Sequence, residues 1–151
     1  MTGGHDLAAR QAELVAALVA GAPIPAGFDQ RLVGAARAAL LRKRAGEVAR
    51  HWPLLAAAFG PRWPATFARW AAGRPTQGGL RDGWDLARTL VGRDELPAAA
   101  VEELAVRDAG WRYDGTSAPR RRRLPALRRT PGAVVLQVAG RVRVLRPGGG
   151  G

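Results

Sequence analysis

Two histidines, twelve acidic residues and no cysteine set the chemistry that this chain can attempt. The lack of cysteine removes disulfides, thiol nucleophiles and every Cys-type zinc or iron–sulfur site, and it fits a reducing compartment. His51 stands in the stretch RHWPLLAAAFGPRW, residues 50–63. An isolated histidine needs a nucleophile or a second ligand beside it to do chemistry. The other histidine, His5, sits near the N-terminus, and no HxxxH spacing occurs. His51 therefore reads as a structural residue at a helix end. Asp82 and Asp85 share a helix face and could serve acid–base work or a hard cation. Asp82 is equally well explained as a helix N-cap, and Arg81 and Arg88 offer both aspartates ion-pair partners, so the structural reading is preferred. Glu102 and Glu103 favour a helix N-terminus in the same way. The TQGG stretch follows a helix and lacks a following Lys-Ser/Thr, so it is no phosphate cradle. These residues point to no catalytic group, no metal site and no cofactor, and the chain is expected not to be an enzyme.

Arginine is the stronger signal. The formal net charge is +12, and from Pro119 onward nine arginines stand with no acid among them. The other 15 bases and 12 acids leave the first 118 residues near balance, at +3. A partner argument from charge therefore applies to the tail. The run PRRRRLPALRR packs six arginines into 11 residues, namely Arg120, Arg121, Arg122, Arg123, Arg128 and Arg129, and Arg141 and Arg143 follow in RVRV. A solvated linker is the plain reading of the run. The functional readings are phosphate neutralisation on nucleic acid, or an acidic groove on a protein or peptide.

The elements that would position these residues are mostly helical. Leu7, Leu14, Val15 and Leu18 recur at helical spacing behind Asp6 as N-cap, and Gly21 with Pro23 stops that helix. Asp29 begins a long second helix, which Pro53 ends near Trp52. PLLAAAF forms a short helix stopped by Gly60, and PATFARWAA another. Asp82 opens a helix that closes at Gly92, and Pro97 opens the last. The pattern predicts a mainly α protein, a compact bundle of about six helices over residues 6–114. A Pro/Arg-rich linker over 115–131, a small β-hairpin over 132–146 with a tight turn at Ala139–Gly140, and a disordered end at 147–151 follow. No apolar run approaches a membrane span, no signal peptide is evident, and a cytoplasmic protein is expected.

The order of these elements resembles a known family. Trp52–Pro53, Phe59–Gly60, Phe67 with Trp70, Pro75, and Leu96–Pro97 through Trp111 follow the pattern of the N-terminal helical domain of HvfC/MbnC-type partner proteins, a family also catalogued as DNA-binding. The match spans residues 8–113, and it is the order of the motifs that carries it. Such proteins accompany a multinuclear non-haem iron oxygenase of TIM-barrel fold that modifies ribosomally made precursor peptides. The resemblance implies that this chain binds the iron-dependent enzyme, its precursor peptide, or both. The chain departs from the family in the second long helix, where Gly34, Ala35, Ala36 and Arg37 replace a Tyr-Arg pair. It departs also in its C-terminal region, where an Arg-rich hairpin replaces a larger domain.

Most aromatic residues recur at core spacing. Trp63, between Arg62 and Pro64, is read as the exposed anchor, because Trp and Arg dominate binding hot spots. The expected partner-binding set is thus Trp63, Arg62, Arg120 to Arg123, Arg128, Arg129, Arg141 and Arg143. An exposed strand edge could also accept a peptide strand. The alternative is a DNA-binding regulator using the same tail, although the near-neutral body shows no recognition helix.

Overall fold

The computed structural model describes residues 3–147. Six α-helices come first: α1 (Gly3–Ala20), α2 (Gln30–His51), α3 (Pro53–Phe59), α4 (Trp63–Ala71), α5 (Gly79–Val91) and α6 (Ala98–Gly110). A 3-10 turn, Gly60–Arg62, joins α3 to α4. Five strands follow: β1 (Trp111–Arg112), β2 (Arg120–Arg121), β3 (Ala126–Thr130), β4 (Ala133–Val138) and β5 (Arg141–Leu145). They form a two-stranded antiparallel ribbon, β1–β2, and a three-stranded antiparallel sheet in the order β3-β4-β5.

The helix boundaries follow from local chemistry. Asp29 caps α2, its carboxylate accepting from Arg31 N at 2.8 Å and Leu32 N at 3.4 Å. Trp52 breaks the path between α2 and α3 at φ −127°, ψ 64°, and Pro53 opens α3 with the fixed φ of a first helical turn. The break drives the Trp52 ring inward, edge-on to Trp84 at 5.7 Å. Gly83 of α5 lies against that ring so closely that a Cβ would fall 2.2 Å from Trp52 Cδ1. Asp6 lies within the first turn of α1 and not at its cap. Asp82 also lies inside its helix, α5, which Gly78 opens.

The expected mainly α bundle with a small hairpin is corrected by the sheets: the fold is mixed, with helices and two antiparallel sheets. Ala126–Thr130, inside the stretch read as linker, adds a third strand to the hairpin. The strand is hard to see in sequence because ALRRT places one arginine on each face, which erases the alternation of polar and apolar residues. A lone hairpin is marginal in water, and a third strand with an apolar face against a helix makes it stable. That helix is α6. It sends Ala100 and Leu104 into the helical core with Trp52, Leu55, Phe67 and Trp84. It sends Ala105 and Ala109 against Val135 of the sheet. The end of the chain read as disordered, beyond residue 147, lies outside the described residues.

Candidate protein-binding surface

Trp63 is not the exposed anchor that its flanking Arg62 and Pro64 suggest. It is 6 % exposed, its indole N–H donates to Ala45 O at 3.0 Å, and its ring packs on Phe67 at 5.8 Å. The 3-10 turn causes this, because it rotates the start of α4 so that Trp63 points into the body while Arg62 stays exposed. Trp63 therefore serves the core. Trp52 and Phe67 are buried as expected, with Phe59 and Trp70 packed against the same core.

The candidate acid–base residues are each committed elsewhere. Asp82 is 2 % exposed and pairs with buried Arg44 at 3.1 Å, while accepting from Thr76 Oγ1 at 2.8 Å and Gln77 N at 2.9 Å. Asp85 accepts from the Tyr113 hydroxyl at 3.0 Å. Burial raises the Asp85 carboxyl, against the lowering effects of Tyr113, Arg88 and Arg81. Arg88 pairs instead with Asp108 at 3.0 Å. Glu103 reaches from α6 to cap α3, accepting from Leu55 N at 2.8 Å. His51 is exposed at the end of α2, and its carbonyl accepts from Arg107. Among the described residues, no group of three His, Asp or Glu side chains converges on a point.

The tail arginines are ordered by the sheets. Arg120 and Arg121 form β2, in register with Arg112 and Trp111 of β1. Arg121 lies over the Trp111 ring at 4.9 Å. Arg122 is partly buried, its Nε donating to Asp108 O and Trp111 O, each at 3.0 Å. Burial, then the nearby charges of Arg128 and Arg112, hold its guanidinium below the usual arginine range. Arg123 is exposed. The buried Gln137 ties this run to the sheet: in the orientation that satisfies both ends, its amide donates to Leu124 O at 2.7 Å and accepts from Gly140 N at 3.0 Å.

The sheet has two faces. Ala133, Val135 and Gln137 alternate inward and are buried. The residues between them point away from α6. The register aligns Leu127 with Leu136 and Arg143 in one row, and Arg129 with Val134 and Leu145 in the next, while Val138 faces Arg141. Leu127, Val138 and Leu145 are 49 %, 48 % and 55 % exposed. An apolar strip therefore crosses the outer face with Arg129, Arg141 and Arg143 at its rim. Arg128 sits on the inner side, half-buried. None of Arg120 to Arg123, Arg128, Arg129, Arg141 or Arg143 has a carboxylate partner among the described residues, and Arg146 alone of the tail pairs with an acid, Glu102. The apolar members of this face, Leu127, Val134 and Leu136, escape a reading built on charge. Their signal is the period-2 alternation of AVVLQV, which marks one face of a strand without saying whether that face is covered.

The outer face of the sheet thus carries an apolar strip with arginines at its edge, beside a helical body. Residues 8–92 match the model of the SCO6045-like C-terminal domain, more than half of the chain, and the chain belongs to that family. A UPF0276 protein of Streptomyces avermitilis is 37 % identical over 134 residues, which is 87 % of this chain and 27 % of that protein. An alignment of that length runs past residue 92 into the sheet region, so the relative shares more than the helical body. The chain thus spans about a quarter of the length of this curated relative. These matches do not carry the HvfC/MbnC resemblance. No solved structure matches the chain. No helix among the described residues is long and apolar enough to cross a membrane.

Proposed function

We propose that this chain is a non-catalytic partner domain that docks on a larger protein through the outer face of its β3-β4-β5 sheet. The observation that carries the reading is the apolar strip of Leu127, Leu136, Val138 and Leu145 bordered by unpaired Arg129, Arg141 and Arg143. Contiguous exposed apolar surface of this kind marks interaction sites, and arginine at its rim selects an acidic counterpart. A second copy would set the same arginines against themselves. The Streptomyces relative supports the reading, since it holds a similar region in a chain about four times as long. The resemblance in motif order names the class of partner: a TIM-barrel multinuclear non-haem iron oxygenase, its ribosomal precursor peptide, or both.

The test is a tagged pull-down from the native host, with mass spectrometry and iron analysis of the eluate. Stoichiometric recovery of an iron protein, lost in Leu136→Glu, is the expected result. No protein recovered sinks the reading. The alternative, a DNA-binding regulator, rests on the unpaired run Arg120 to Arg123 and predicts recovery of nucleic acid with steeply salt-dependent affinity. Arginines interleaved with leucine and valine favour a protein surface over phosphate.

A further inference from the structure

Four of the five tryptophans have an occupied indole N–H. Trp52 donates to Leu80 O at 2.9 Å, Trp63 to Ala45 O at 3.0 Å, Trp70 to Thr89 Oγ1 at 3.2 Å and Trp84 to Asp108 Oδ1 at 2.9 Å. Trp111 differs. Its ring is half-buried, yet its N–H has no acceptor among the described residues. That N–H is not sealed from water, so it is a donor that a ligand can reach, and Trp, with an apolar ring and a polar tip, is enriched at interfaces.

Trp111 lines a cleft of about 390 Å³ between α3, α6 and the β1–β2 ribbon. Leu54 of α3, Val106 of α6 and Val142 of β5 supply apolar walls, and Leu54 is 47 % exposed there. Arg121 lies over the Trp111 ring at 4.9 Å, and Arg107 over Trp52 at 4.9 Å. The acids of the cleft are engaged: Glu103 accepts from Leu55 N at 2.8 Å, and Glu102 pairs with Arg146 at 2.5 Å. The cleft therefore offers apolar walls and unused donors.

We infer that this cleft binds an apolar side chain adjacent to a carboxylate, presented by a segment of the partner protein. The side chain packs on Leu54, Val106 and Val142, and the carboxylate accepts from the Trp111 indole and the Arg121 guanidinium. A nucleic-acid phosphate would satisfy the donors but leave the apolar walls without a counterpart. The source as a protein segment rests on the partner-domain reading; the chemistry of the cleft does not.

The test is an NMR titration of the full chain followed at the indole N–H signals, with Trp111→Phe assigning the Trp111 resonance. The probe is N-acetyl-leucine, compared with N-acetyl-leucinamide and acetate. N-acetyl-leucine is expected to shift the Trp111 signal saturably at millimolar concentration and to leave the other four in place. The amide and acetate should each bind about tenfold more weakly, as should N-acetyl-leucine to Arg121→Gln, the loss of one charge-assisted hydrogen bond. Unmoved indole signals on the other four tryptophans show that the variants are folded. A silent Trp111 signal, or acetate binding as well as N-acetyl-leucine, overturns the inference. A pull-down that recovers the iron protein beside a silent Trp111 signal overturns the cleft alone; a responsive cleft with no protein recovered overturns the partner reading alone.

Discussion

The helical body and the sheet region are stabilised by different means. In the body, ring contacts run from Phe59 through Trp63 and Phe67 to Trp70, at 6.4, 5.8 and 5.8 Å. A second set joins Trp52, Trp84 and Tyr113. The buried Arg44–Asp82 pair closes α2 on α5. In the sheet region the buried contact with α6 is small: Ala105 and Ala109 meet Val135, with Val142 and Val144 beside them. The sheet is anchored on one face by small aliphatic residues and leaves its other face to solvent. Where stability is concentrated in one region, the other is free to carry exposed apolar and charged groups that add nothing to folding.

The largest test of this contrast lies in the body. Asp82→Ala strips Arg44 of its partner while leaving its charge buried, and should cost about 4 kcal/mol in chemical denaturation. A loss under ~1 kcal/mol would show that water reaches the pair and that the ring contacts alone set the body's stability. Next comes Val135→Ala, expected to cost about 1–2 kcal/mol. If α6 separates two cooperative units, hydrogen exchange in this variant should quicken in β3, β4 and β5 and leave α2 and α5 unchanged. Uniform quickening would show one cooperative unit.

The smallest effect sharpens the seam between the regions, where Tyr113 follows β1 and packs on Trp84 of the body. Burial raises the Asp85 carboxyl above its ordinary 3.8, and the Tyr113 hydroxyl counters that by stabilising the charged form. Tyr113→Phe should therefore move Asp85 further up in an NMR pH titration, and a downward move would refute the assignment. Asp114, one residue on, runs the other way. Backbone N–H groups of Ser117 and Thr116 hold its carboxyl far below 3.8. The two signs oppose each other in stability. The raised Asp85 contributes stability below its unfolded value, and loses it as pH rises through its folded value. The depressed Asp114 contributes above its unfolded value, and loses it as pH falls through its folded value. As pH falls, Asp85 should thus take up its proton first, and the Asp114 turn should loosen only at lower pH.

The residues show how far a sequence reading reaches. The α2 cap at Asp29, the break at Trp52–Pro53 and the turn at Ala139–Gly140 are local features, each set by a side chain or ring within a few positions, and all are legible. Ala139 and Gly140 take the positive φ values, 51° and 78°, that a tight hairpin turn requires. Asp82 was legible as a structural acid but not in its role, since its partner Arg44 is 38 positions away. Trp63 and Trp111 are the sharpest contrast. Both stand beside arginine, and nothing nearby tells them apart. A single 3-10 turn sends Trp63 inward to a carbonyl of α2, whereas Trp111 ends α6 at a junction where no acceptor meets its N–H.

By itself, the sequence determined where α2 begins, where α1, α2, α3 and α5 end, that the tail is basic, and that a hairpin follows it, because caps, proline breaks and alternation act over a few residues. Only the tertiary structure decided that Arg-rich residues 126–130 pair as a third strand, that α6 serves two cores, and which tryptophan faces a cleft. Those outcomes depend on long-range packing, where burial is settled by which surfaces meet.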